Sequence, residues 1–290
     1  MAIKEVGDGM KPQSFPSRQL KVLAKILGTE EMGEVIPSVT TSLIQDPIHK
    51  DLTSREKAWV AGTLYAAGSE TTAKQMQWFI LSMVIHPDIQ ARAQAQIDDI
   101  VGRERMLNFD DFDRLPYVQA LIKELLRTDR RISIGVPHAL SEDDIYEGYF
   151  IPKGTDCIVN IWGLNHDQNV YGPDVESFRP ERHLDKQPSR ASETKDEGHH
   201  SFGFGRRVCV ERHVALNNMF IQIVCILWCF NITPAEDESG KPMLIDANQM
   251  LDDGLTIRPL STNRYKFTPR FVEMEEVVRN ELELNGFSYT

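Results

Sequence analysis

Cys209 lies within the stretch Ser201-Phe-Gly-Phe-Gly-Arg-Arg-Val-Cys-Val-Glu-Arg-His-Val-Ala215. Gly203 and Gly205 let the backbone turn tightly and come close to a bound group. Arg206 and Arg207 add positive charge, and an apolar helical run follows the cysteine. From Cys209 onward the pattern reads as a helix start, where helix-terminal N–H groups and the arginines favour a thiolate. Thiolate is the form that ligates metal. Taken alone, a cysteine before a helix is more often a small buried hydrophobe.

Two other clusters carry chemistry-bearing side chains. Ala67-Gly-Ser-Glu-Thr-Thr72 interrupts a helical pattern with small residues, and each glycine there costs about 1 kcal/mol relative to alanine. Either another helix packs closely on that face, or a large flat ligand lies against it with Glu70 and Thr71 pointing inward. Glu124 and Arg127, three residues apart, share a helix face as an ion pair of the ordinary surface kind.

The elements that must position these groups follow from periodicity and punctuation. A first helix is expected at Ser17–Leu27, and a long one at Ser54–Ile85, stopped by His86-Pro87. An amphipathic helix at Asp88–Val101 ends at Gly102, Asp110–Leu115 reads as a short turn, and Tyr117–Asp129 as the helix carrying Glu124. Asp144–Ile151 and Thr155–Asn160 read as β-prone runs joined by a Pro152-Lys153-Gly154 turn into a small sheet. Residues 185–200 read as a polar surface loop that includes His199 and His200. Val210–Phe230 reads as an apolar helix, followed by short strand candidates around Gly254, Pro259 and Pro269.

With 290 residues, 41% apolar and 26% charged, the chain can bury a sizeable core. A net charge of -11 argues against non-specific nucleic-acid binding. Cys157, Cys209, Cys225 and Cys229 are too irregularly spaced for a disulfide framework and favour a reducing compartment. Cys225 and Cys229 read as core residues, since no zinc-site spacing accompanies them. The apolar run Met219–Ile232 is shorter than the roughly 20 residues that a spanning helix needs.

Phe202, Gly205, Arg207 and Cys209 form Phe-x-x-Gly-x-Arg-x-Cys, which resembles the haem-binding loop of the cytochromes P-450, the haem-thiolate monooxygenases. Ala67–Thr72 resembles that family's oxygen-binding helix motif, and Glu124-x-x-Arg127 and Phe178-Arg-Pro-Glu-Arg182 resemble its two structural motifs. The resemblance covers roughly residues 5–270 and is closest in feel to fungal members. It implies a mainly α fold with small β-sheets, the C-terminal haem-binding part of the family fold without its N-terminal half. Residues 1–270 would form a partial haem domain and 271–290 a charged C-terminal extension.

The same resemblance implies roles. Cys209 would be the axial ligand of haem b iron, whose thiolate favours O–O cleavage. Arg207 and His138 would bind haem propionates, and Phe202 would pack beside the sulfur. Thr71 would hydrogen-bond oxygen at the iron while Glu70 relays protons from solvent, as suits an acid beside an alcohol. Glu124, Arg127 and Arg182 would close a buried structural triad beneath the Cys209 loop.

The implied activity is insertion of one oxygen atom from O2 into a small organic substrate, with electrons from an NADPH-cytochrome P-450 reductase. A full-length form would sit at the endoplasmic reticulum membrane through an N-terminal anchor that this chain lacks, and this chain would be cytoplasmic. Four positions depart from the family pattern. Glu211 replaces a glycine two residues after the cysteine, His183 replaces an aromatic, and Arg130 and Ser133 replace prolines. The alternative reading is a truncated or degenerate chain without catalytic activity. A haem-thiolate isomerase or dehydratase is disfavoured by the Glu70-Thr71 pair, and a zinc or nucleophilic-cysteine enzyme by the lack of a suitably spaced histidine.

Overall fold

The computed structural model describes residues 38–128, 133–184, 194, 197–246, 250–252, 257–259 and 264–284. The helix expected at Ser17–Leu27, Arg130 and Gly254 lie outside these residues. The chain divides into two compact units, Met1–Ala67 and Gly68–Thr290. In the first, helix α1 (Val39–Gln45) is capped by the Ser38 hydroxyl, which accepts the Thr41 N–H. Helix α2 (Ser54–Ile85) starts in the first unit, continues into the second, and has the bounds expected from sequence.

Within the second unit, α2 becomes buried from Lys74 onward, through Met76, Phe79, Leu81 and Met83. Pro87 opens α3 (Pro87–Val101), because its missing N–H has no helical partner to lose there. Gly102, at φ 72°, terminates α3 in a conformation that costs a glycine little. The segment expected as a turn is a 3-10 helix, Phe109–Arg114, held by a capping box between Asn108 and Asp111. Helix α4 (Pro116–Arg127) follows.

Strands β1 (His138–Ala139), β2 (Asp144–Tyr146), β3 (Tyr149–Ile151) and β4 (Asp156–Cys157) come next. They differ from the single small sheet expected. β2 and β3 form their own hairpin, and β1 pairs with β4 across it. The reason is the Glu147-Gly148 turn, whose two positive φ angles of 49° and 84° match the twist of a two-residue hairpin.

Two short helices, α5 (Ile161–Asn165) and α6 (Gln168–Tyr171), lead towards the apolar helix α7 (Arg212–Cys229). Strands β5 (Phe230–Pro234) and β8 (Tyr265–Pro269) form one antiparallel pair, and β6 (Met250–Asp252) and β7 (Ile257–Pro259) another. Helix α8 (Met274–Leu284) packs Met274, Val277 and Val278 on the core.

Helices α3, α4 and α7 contact one another in the core of this unit. α7 is the one helix among the described residues long and apolar enough to cross a membrane. Here it packs inside the protein instead, with Phe220, Ile223, Val224, Leu227 and Trp228 fully buried beside Ile97, Leu121 and Phe79. Each such side chain contributes roughly 1.5–3 kcal/mol of burial free energy. Polar side chains tie β5 to this core. Gln90 donates to the Ile232 carbonyl and accepts its N–H, and Arg270 pairs with Asp98 at 2.7 Å. The molecule is thus mainly helical with small sheets, as the sequence led us to expect.

Candidate active site

Beneath the Cys209 loop lies a buried set of charges built on α4. Glu124 and Arg127 are one turn apart and completely buried, and the guanidinium forks onto the carboxylate with two bonds of 2.8 Å. Arg182 follows Pro180, which fixes the entry to a 3-10 turn, and its Nε donates to Glu124 at 3.1 Å. Its other nitrogens donate to the carbonyls of Tyr171, Asp174 and Ser177.

Two further donors to Glu124 were not expected from sequence. The Arg179 N–H bonds Glu124 at 2.8 Å, and His183 Nε2 lies 2.9 Å from the second carboxylate oxygen. Burial pushes the Glu124 carboxyl up, yet the bonds from Arg127 and His183 outweigh it, so its pKa is lowered to about 2. The histidine that replaces an aromatic therefore extends the Glu124 cluster. Its signal in the sequence was a titratable side chain next to Arg182, a residue already expected to reach Glu124.

The cluster is connected to the loop. Arg127 Nη1 donates to the Asn165 carbonyl, the Asn165 side chain accepts the His200 N–H and donates to Ser201, and Ser201 Oγ donates to the Leu126 carbonyl at 2.6 Å. The reading of His199 and His200 as surface-loop residues is overturned. Both are buried, with only 3% of His199 and 9% of His200 exposed. The segment turns inward because α4 and α5 offer backbone and amide partners that a solvated loop would lack.

The expected helix start at Cys209 is also corrected. Cys209 spends its N–H on the Phe202 carbonyl at 2.8 Å, closing a loop, and α7 begins three residues later at Arg212. Gly203 and Gly205 have φ of 74° and 55°, and a Cβ on either would meet nothing within 4 Å. Cys209 is half-buried and forms no disulfide.

The remaining expected site residues fall in three places. Phe202 is half-buried in the loop and packs against the core. Arg207 is exposed on the 3-10 turn Gly205–Arg207, and His138 is exposed in β1. Glu70 and half-buried Thr71 sit on α2, and Glu70 pairs with the buried ammonium of Lys74 at 2.5 Å. That partner was legible as an acid four residues before a lysine.

One contact brings two of the sequence motifs together. A Cβ on Gly68 would lie 2.7 Å from Glu211 Oε2, so the acid two residues after Cys209 rests against the small face of α2. The small residues there accommodate a neighbour from the Cys209 loop.

A cytochrome P450 family model matches residues 37–258, most of the chain. The chain belongs to the cytochrome P450 family. It is 49% identical over 258 residues to a cytochrome P450 monooxygenase of Armillaria gallica, covering 88% of this chain and 49% of that protein. It is 45% identical to cytochrome P450 monooxygenase 58 of Postia placenta, covering 88% of this chain and 48% of that one. A zebra fish cytochrome P450 solved with progesterone superposes with a TM-score of 0.73 at 26% identity, over 88% of this chain and 57% of that one. The chain spans about half the length of the curated P450 relatives it matches.

Haem is the group that membership implies, and the donor chemistry of this P450 chain suits it. A cysteine ligates iron as its thiolate, and burial pushes the Cys225 thiol up to about 11 and raises that of Cys229, so both stay protonated in the core. Cys157 is exposed in the two-residue strand β4. Cys209 is half-buried at the end of the loop that carries Gly203 and Gly205, where a Cβ on either glycine would meet nothing within 4 Å. The Glu211 carboxylate, which rests against Gly68, is the end of a flexible side chain and can swing aside.

Proposed function

We propose that the chain binds haem b through Cys209 and serves a monooxygenase that inserts one oxygen atom from O2 into a small organic substrate. What supports this reading most is the contact of Glu211 with Gly68, which sets the thiol loop beside the helix that carries Glu70 and Thr71. Bound haem would supply the redox chemistry of oxygen activation.

The chain's own residues do the rest. Cys209 would hold the iron through its sulfur, and Arg207 and His138 would offer hydrogen-bond donors to the propionates. Phe202 packs beside the sulfur and fixes the loop through its carbonyl. Thr71 offers a hydroxyl that both donates and accepts, and Glu70, held by Lys74, passes protons in from solvent. Glu124, Arg127 and Arg182 hold the loop without touching reactants. The electrons are assigned to an NADPH-dependent reductase, and the protein to the endoplasmic reticulum membrane.

The test is turnover with isotopically heavy O2. The chain is loaded with haem and supplied with NADPH and a cytochrome P450 reductase. A panel of small apolar substrates should then yield products carrying one heavy oxygen atom, and Thr71→Ala should divert the electrons to peroxide. A second reading, a P450-like chain that folds without turnover, is favoured by the position of the Glu211 carboxylate. It predicts no labelled product from any substrate.

A further inference from the structure

The buried histidine just before the Cys209 loop has no part in the chemistry above, yet it touches what holds the sulfur. His199 Nδ1 accepts the Ser201 N–H at 3.1 Å, so the proton of the neutral ring sits on Nε2. Its ring meets Phe202 edge to face at 5.4 Å. Phe202 in turn accepts the Cys209 N–H through its carbonyl at 2.8 Å. From imidazole to cysteine the path is one ring contact and one hydrogen bond, with the Ser201 bond fixing the neighbouring residue.

The other side of His199 faces the charge cluster. Burial, followed by the nearby charges of His183, Lys123 and His200, holds its pKa down to about 3, so the ring is a neutral acceptor at physiological pH. A Cβ on Gly198 would come within 2.8 Å of His183 Nδ1 and 3.4 Å of Lys123 Cδ. Gly198, at φ 80°, is what lets the backbone pass between those groups and deliver His199 to its place.

We propose that His199 is a positioning residue for Cys209, fixing through its Ser201 hydrogen bond and Phe202 ring contact the loop that presents the sulfur. The proposal rests on Cys209 being the ligand, but it concerns the haem-free loop and is tested there. An apolar side chain of similar size removes the acceptor and leaves the part-buried Ser201 N–H without it. An asparagine restores an acceptor at nearly the same point.

The experiment follows alkylation by iodoacetamide in the haem-free full chain, with Cys209, Cys225 and Cys229 resolved by peptide mass spectrometry. His199→Phe should raise the Cys209 rate about tenfold, the local opening expected when one part-buried hydrogen bond is lost. His199→Asn should stay within about twofold of the parent because an acceptor is restored. Cys225 and Cys229 should be unchanged in both. His199→Leu repeats the measurement if the phenylalanine variant does not fold.

Equal Cys209 rates in all proteins overturn the proposal. So does a rise shared by Cys225 and Cys229, which marks general loosening, and so does an asparagine variant as fast as the apolar ones. Because no haem takes part, the absence of a thiolate-type haem spectrum in the parent would sink the proposed function and leave this result standing. Flat labelling with a sound haem spectrum would do the opposite.

Discussion

His183 Nε2 and Arg127 Nε converge on one oxygen of the Glu124 carboxylate, at 2.9 and 2.8 Å, in a site closed to solvent. Arg182 and the Arg179 N–H occupy the other oxygen. Glu124 is therefore the hub on which α4, the Arg179–His183 turn and, through Arg127 and Asn165, the cysteine loop all depend.

Removing the hub strands two buried guanidinium groups. Glu124→Ala is expected to cost about 3–5 kcal/mol of stability, the range for breaking a buried charge set. His183→Phe loses one charge-assisted bond and should cost about 1.5–3 kcal/mol. Urea denaturation of the haem-free chain measures both. A loss under about 1 kcal/mol for Glu124→Ala would remove the cluster from the account.

Acid should unfold the chain in two overlapping ranges. His199 resists protonation in the folded state, with its pKa down from 6.5 to about 3. The unfolded chain thus binds more protons between these values, and stability falls as pH drops through that window. Glu124, lowered from 4.5 to about 2, contributes stability that is full above 4.5 and lost as pH falls towards 2. Melting temperature against pH should decline below about 6.5 and steepen below about 4.5, the unfolded values of the two groups. His199→Asn should lose the upper part of the decline, and a parent profile flat from pH 6 to 4 would contradict the burial of His199.

Gly68 and Glu211 should be energetically coupled. Gly68→Ala improves helix propensity by about 1 kcal/mol, but its Cβ meets the Glu211 carboxylate, so the parent chain gains less. In a Glu211→Gly background the obstruction is gone and the alanine should stabilise by about the full amount. A double-mutant cycle gives the difference, and additive effects would show that the two residues do not touch.

Long periodic elements were legible because their punctuation is strong. Pro87 and Gly102 delimit α3 by backbone chemistry alone, and Ser54–Ile85 needed only its unbroken run and the His86-Pro87 stop. Glu124, Arg127 and Arg182 could be associated because they carry recognisable spacings. His199 could not be read the same way. Its neighbours are polar and point to a solvated loop, and only the groups offered by α4 and α5 turn it inward. Glu147-Gly148 was missed within a β-prone run because two residues suffice to reverse the chain. The start of α7 was misplaced because a hydrogen bond to Phe202, distant in pattern but close in space, takes the Cys209 N–H out of the helix.

The central claim is that Cys209 presents a thiolate to haem iron. The carbon-monoxide difference spectrum of the reduced, haem-loaded chain tests it most directly, run on the parent, Cys209→Ala and Glu211→Gly. The account predicts a thiolate-type Soret band in the parent, stronger in Glu211→Gly and abolished in Cys209→Ala. A band that survives in Cys209→Ala, or none in either of the other two proteins, would contradict it.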